Sequence, residues 1–184
     1  MSTPDNLSEQ ATELYAAGKF IEAEPLFRQM LEEEPDNPQV LLLTGMCRRA
    51  QGDLPSAVHL VKRAAELDAS NALIQFNLGA ILLDHQRPDQ ALLALESCVR
   101  INPNHGRARA LIGYISFMQG KVDDAIPELK TALKAEPDQS MALTTLSLAF
   151  LQKKDLSKAH AYATRALEIK ADDAGAQSAM PRYA

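Results

Sequence analysis

Five alanines, Ala23, Ala57, Ala91, Ala125 and Ala159, fall 34 residues apart in unbroken register. A chain with such a period is built from stacked copies of one unit, and this excludes most single-core folds. Other columns appear once the alanines are aligned. Small residues precede them at Ala11, Gly45, Gly79, Gly113 and Ser147. Larger residues follow at Phe27, Val61, Leu95 and Leu129, with Ala163 in the last copy. A turn column reads Gly18, Gly52, Gln86, Gly120 and Lys154, and a terminator column reads Pro35, Ala69, Pro103, Pro137 and Ala171.

Each column has a physical meaning. Apolar spacings of three and four within each half-unit are helical. Glycine provides the turn between two helices, and proline stops the second helix before the next unit. The small residue and the alanine let two helix backbones approach, and the larger side chain fills the seam. The pattern predicts helices over 6–17, 20–33, 38–51, 54–67, 72–85, 88–101, 106–119, 122–135, 140–153 and 156–169. Pro25 and Pro127 fall inside second helices, so a slight kink or an irregular first turn is expected there.

Composition agrees with helices packed through leucine and alanine: aromatics are 5% and there is no tryptophan. A formal charge of −5 argues against a phosphate-backbone binder, and nucleic acid is not an expected partner. No apolar run approaches membrane-spanning length, and the N-terminus has no basic or apolar leader pattern. Cys47 and Cys98 lie in different units without metal spacing and read as reduced core thiols. A cytoplasmic location is expected.

The 34-residue unit with its small, alanine, apolar and proline columns resembles the tetratricopeptide repeat. The resemblance implies an all-α fold, a right-handed superhelical solenoid of antiparallel helix pairs. Five units are expected at 4–37, 38–71, 72–105, 106–139 and 140–173, with tails at 1–3 and 174–184. Leu7, Leu41, Gln75, Arg109 and Leu143 stand where the family has a bulky residue, and Gln75 and Arg109 predict looser packing there.

In the family the first helix of each pair lines a concave groove. The resemblance places Asp5, Ser8, Thr12, Tyr15 and Ala16 on that face in the first unit, and Gln39, Leu42, Met46, Arg49 and Ala50 in the second. The third contributes Leu73, Phe76, Ala80, Leu83 and Asp84. The fourth contributes Arg107, Ala110, Tyr114, Phe117 and Met118, and the fifth Met141, Thr144, Leu148, Leu151 and Gln152. From the second unit onward the face is mostly apolar, and exposed apolar patches above roughly 300–600 Å2 usually mark interfaces. The candidate groove residues are Leu42, Met46, Leu73, Phe76, Leu83, Arg107, Tyr114, Phe117, Met118, Met141, Leu148 and Leu151. Arg107 is the candidate contact for an acidic group flanking a bound apolar segment. Asn77 and Arg107 match half of the family's carboxylate clamp, while Leu42 and Met46 stand where its other two members would be. The groove asparagine ladder of glycosyltransferase arrays is not repeated, since its column reads Glu9, Leu43, Asn77, Leu111 and Thr145.

Chemistry is otherwise sparse. His59, His85, His105 and His160 have no metal-ligand spacing, and no phosphate loop or nucleophile elbow occurs. No cofactor, metal or catalytic residue is expected. Gly175 and Pro181 limit the tail to about one helical turn, so the last seam is expected to be poorly covered. The sequence therefore points to a non-catalytic protein-interaction module that binds an apolar or amphipathic partner segment in an adaptor, assembly or chaperone-like role. Its composition and size resemble bacterial secretion and pilus-assembly helpers of the family. The alternatives are a substrate-recruiting arm of a larger enzyme such as a glycosyltransferase, and a self-associating scaffold that pairs as a homodimer.

Overall fold

The computed structural model describes residues 4–180, with side chains from residue 6 onward. The tail at 1–3, the last four residues and the Asp5 side chain lie outside the described residues. The chain forms α1 (Pro4–Ala16), α2 (Phe20–Glu33), α3 (Pro38–Ala50), α4 (Leu54–Leu67), α5 (Ala72–Asp84), α6 (Pro88–Ile101), α7 (Gly106–Met118), α8 (Val122–Ala135), α9 (Ser140–Gln152), α10 (Leu156–Ile169) and the short α11 (Ala174–Ser178). No strand occurs among the described residues. The chain divides into two compact units, Met1–Ser97 and Cys98–Ala184, so the division falls inside α6 rather than between helix pairs.

All five turns inside the helix pairs share one hydrogen-bonding pattern. After α3, the Asp53 N–H donates to the Arg48 carbonyl at 2.9 Å and the Gly52 N–H to the Arg49 carbonyl at 3.0 Å. This double closure is the Schellman motif, and it requires a left-handed residue just past the helix. Gly18, Gly52 and Gly120 supply it with φ of 73°, 81° and 77°. Gln86 and Lys154 adopt the same conformation at 57° and 60°. For a side-chain-bearing residue this costs roughly 1–2 kcal/mol, which the surrounding helices impose. The closure also explains why the first helices stop one residue short of the lengths read from periodicity.

The small-residue column marks the closest approach within each pair. A Cβ built on Gly45 would lie 2.5 Å from Val61 Cγ2 and 3.3 Å from the Ala57 carbonyl oxygen. At Gly79 it would meet Leu95 Cγ at 2.6 Å, and at Gly113 Leu129 Cγ at 2.5 Å. The glycine side of each contact therefore has no room for a methyl group. The last pair solves the problem differently. Ser147 carries a side chain, and the residue facing it has shrunk to Ala163, both fully buried.

In the first unit, Ala11, Ala23, Phe27, Val40 and Cys47 form one buried cluster, with Tyr15 and Phe20 packed against it. A second joins Leu41, Val61, Ala64, Ile74 and Ile81. In the second unit, Ala110, Ala125, Leu129, Leu146 and Phe150 form the main cluster. α2 and α8 run unbroken through Pro25 and Pro127. Both prolines are exposed, and the carbonyls that lose a helical N–H partner belong to exposed Ile21 and Asp123.

The last seam is better covered than the sequence indicates. Asp173 caps α11 by accepting from the Ala176 N–H at 2.9 Å and ties it to α9 through the Thr144 hydroxyl at 2.8 Å. Ala176 and Ala179 are buried against Leu143, Ala163 and Ala166. Arg109 also corrects the expectation of loose packing. It donates to Glu128 at 2.8 Å and to the Pro103 carbonyl at 2.8 Å, pinning the preceding loop.

One capping position stands out. Asn37, Asn71, His105 and Asp173 all cap a first helix with a side-chain acceptor. Gln139 holds the same place, makes no cap, and leaves its buried Oε1 without a partner. Shortening it by Gln139→Asn restores the geometry of Asn37. The expected outcome in urea denaturation is a gain of about 0.5–2 kcal/mol, with unchanged helicity by circular dichroism.

Candidate functional site

Each of the two compact units presents its own first-helix faces. In the first unit, Leu73 is 51% exposed and is the most open apolar side chain of the face. Met46 and Leu83 are half-buried. An ion pair between Arg49 and Asp84 (2.7 Å) borders them. Tyr15 is half-buried nearby, and burial raises its hydroxyl pKa, reinforced by Cys47 and opposed by Arg49. Two expected groove residues are not available to a ligand. Leu42 is 2% exposed and belongs to the core cluster with Ala57 and Val61. Phe76 is 7% exposed, because α5 is apolar on all sides and buries seven of its residues.

In the second unit, Met118 and Met141 are 64% and 40% exposed. Tyr114, Phe117, Leu148 and Leu151 are half-buried beside them. Phe117 and Leu151 pack against the Ala110–Leu146 cluster, so each presents only part of its surface. Gly175 of α11 lies over Thr144 and Leu148, which takes one end of this face out of solvent. Exposed Arg107 stands at the start of α7, where its N–H donates to Glu136 Oε1 at 3.2 Å.

Asn77 turns away from any ligand role. It is buried and its amide donates to the Leu73 carbonyl of its own helix at 2.8 Å. The two cysteines are equally inert. Burial pushes the Cys98 thiol up to about 11; burial and the Glu24 charge do the same for Cys47, also to about 11. Among the described residues no cluster of histidine, cysteine and carboxylate could hold a metal ion. Nor is any helix long and apolar enough to cross a membrane.

A model of the tetratricopeptide repeat matches residues 14–75, 48–115, 82–146 and 116–182 in overlapping steps. The chain belongs to the tetratricopeptide repeat (TPR) family. Its fold class is thus an all-α TPR array of antiparallel helix pairs, and the TPR fold makes it a protein-interaction module. The chain is 31% identical over 135 residues to the Drosophila melanogaster protein O-mannosyl-transferase Tmtc3, covering 72% of this chain but only 14% of that protein. Among solved structures it resembles Pseudomonas aeruginosa pilF, with a TM-score of 0.85 at 16% identity over 95% of this chain and 80% of that one. It also resembles YrrB, a TPR protein with an unusual peptide-binding site, with a TM-score of 0.75 at 21% identity over 92% of this chain and 87% of that one.

Histidine 105 has a role that metal-spacing arguments miss. His105 Nδ1 accepts from the Ala108 N–H at 3.2 Å and caps α7, beside Arg107. Only the neutral ring can accept. Burial, aided by Arg107, holds its pKa below the usual histidine value despite the raising effects of a backbone hydrogen bond and Glu136. The unfolded chain therefore binds this proton more readily than the folded one. The cap's contribution is complete above about pH 6.5 and is lost as pH falls from there through the lower folded pKa. Urea midpoints measured from about pH 7.5 to 5.5 are expected to fall less in His105→Asn, which caps without a proton switch, than in the wild type.

Proposed function

We propose that the module is non-catalytic and holds an apolar or amphipathic segment of a partner protein against the first-helix faces, in an adaptor or assembly role. The observation that carries this reading is the apolar surface of α7 and α9. Met118 and Met141 are open there beside half-buried Tyr114, Phe117 and Leu151. Methionine adapts its shape to varied apolar partners, and half-buried aromatics add area without new ordering cost. Arg107 supplies a cation for an acidic residue flanking the segment. Leu73, Met46 and Leu83 form the corresponding, smaller patch in the first unit. Leu42 and Phe76 support these faces from the interior and make no ligand contact. The unpaired, buried Cys47 and Cys98 suit a reducing compartment such as the cytoplasm.

A second reading, a partner-recruiting arm of a longer enzyme, is favoured by the match to Tmtc3. That relative is a transferase by name, and this chain matches only 14% of its length. Under this reading the same faces bind the segment, and catalysis lies elsewhere.

The test compares Met118→Glu/Met141→Glu with Leu156→Glu, which changes an apolar residue of α10 that is 67% exposed and lies outside the proposed faces. Binding of a fluorescent amphipathic model helix is read by anisotropy. The double variant is expected to weaken binding by about tenfold or more, and Leu156→Glu to leave it unchanged. Equal loss in both, or loss in neither, contradicts the reading.

A further inference from the structure

The seam between the first two helix pairs contains a pair of opposite charges where the other copies have mostly apolar residues. The column of Glu24 reads Val58, Leu92, Ile126 and His160 in the later copies. The column of Arg48 reads Leu14, Leu82, Ser116 and Phe150 in the other copies. Glu24 is 8% exposed and pairs with Arg48 at 2.8 Å. A buried ion pair is weak evidence of stability, because apolar residues of similar size usually do as well. An ion pair that the equivalent seams, Val58/Leu82, Leu92/Ser116 and Ile126/Phe150, do not repeat therefore points to a use.

The same seam is open. A cleft of about 680 Å3 lies between α2 and α4, with Thr44 and the Glu24–Arg48 pair of α2 and α3 as its floor. In the second unit the equivalent place is filled: Phe150 stacks on Tyr162 with ring centroids 5.6 Å apart. Arg48 and Leu60 stand at those two positions here and leave the space empty of side chains. The cleft is walled by Leu31, Pro55 and Leu60. Glu32 stands at its rim and makes no hydrogen bond or ion pair among the described residues.

We propose that this cleft is a second binding site, one that takes an arginine or lysine side chain from a peptide partner. Its aliphatic stem lies along Leu31, Pro55 and Leu60, and its head reaches Glu24 and Glu32. Three observations favour a cation. Acidic side chains outnumber basic ones by about two to one in the Met1–Ser97 unit, an anionic surplus around a cleft whose own Arg28 and Arg48 charges are balanced by Glu24 and Glu32. Arg48 has an alternative partner in Asp53 at 3.4 Å, so it can release Glu24 without losing its pairing. Arg28 touches Glu24 only at 3.9 Å with a side chain 64% exposed, and it moves into solvent at little cost.

The site is independent of the first-helix faces, and its test separates the two. The probe is an acetylated, amidated peptide with one arginine between two leucines, compared with the same peptide carrying citrulline or glutamate instead. Titration calorimetry gives affinity, and NMR shifts of the Leu31 and Leu60 methyls report occupancy of the cleft. The wild type is expected to bind the arginine peptide about tenfold more tightly than the citrulline peptide and to reject glutamate. Glu32→Gln is expected to reduce that preference. Glu24→Val/Arg48→Leu, which copies the Val58 and Leu82 seam, is expected to abolish it while the chain stays folded by circular dichroism. Met118→Glu/Met141→Glu is expected to leave it untouched. No arginine preference in the wild type, tighter binding of the glutamate peptide, or a preference that survives both cleft variants overturns the proposal. Should the double variant not fold, Glu32→Gln decides alone.

Discussion

The contact between a residue without a side chain and a branched one holds the three middle helix pairs together. Gly45 against Val61, Gly79 against Leu95 and Gly113 against Leu129 bring the backbones so close that a methyl group would overlap its neighbour. The alanine column takes part in the same approach, because the carbonyls of Ala57, Ala91 and Ala125 lie 3.1–3.3 Å from where those methyls would be. Close approach fixes rotation of the two helices about each other. Rotation decides which residues face inward, and so which remain for a partner. The 34-residue register is the sequence record of this steric requirement.

Function follows from what the register leaves unused. Residues that satisfy columns build the interior, and residues free to vary on first helices supply the surface. In the second unit that surface is apolar and methionine-bearing, which suits a partner segment of adaptable shape. In the first unit the surface is smaller and bordered by the Arg49–Asp84 pair. The seam between the first two pairs departs further, where Glu24 and Arg48 replace apolar filling and a cleft opens. Both proposed binding sites lie where the sequence deviates from its own repeat.

Much of this was legible without coordinates. All five second helices begin and end at the residues given by periodicity, since proline and glycine columns punctuate them. The turn column marked all five turns, Gln86 and Lys154 included. That these two adopt the left-handed conformation usual for glycine is shown only by the structure. Leu42 and Phe76 face the expected side of their helices but are buried. A family's facing rule gives direction on a helix, not depth, and burial depends on neighbouring helices. The single helical turn of the tail was legible, but its covering of the last seam was not, because docking depends on a contact distant in sequence. Asp173 supplies the order through its cap and its bond to Thr144. The Glu24–Arg48 cleft had a readable sign, opposite charges at paired positions that no other seam of the repeat fills with an ion pair.

The last helix pair offers the most direct test of the steric claim, because there the sizes are exchanged: Ser147 faces Ala163. The measurement is a double-mutant cycle of Ser147→Gly and Ala163→Leu, with unfolding free energies from urea denaturation. Ala163→Leu alone is expected to destabilise by about 1–3 kcal/mol through overpacking. Ser147→Gly alone is expected to cost about 1 kcal/mol from its helix propensity. Together they recreate the glycine–leucine contact of the neighbouring pairs, and the double variant is expected to recover on the order of 1–2 kcal/mol relative to the sum. Strict additivity would contradict the account, since it would mean that the two residues do not share the contact on which the repeat is built.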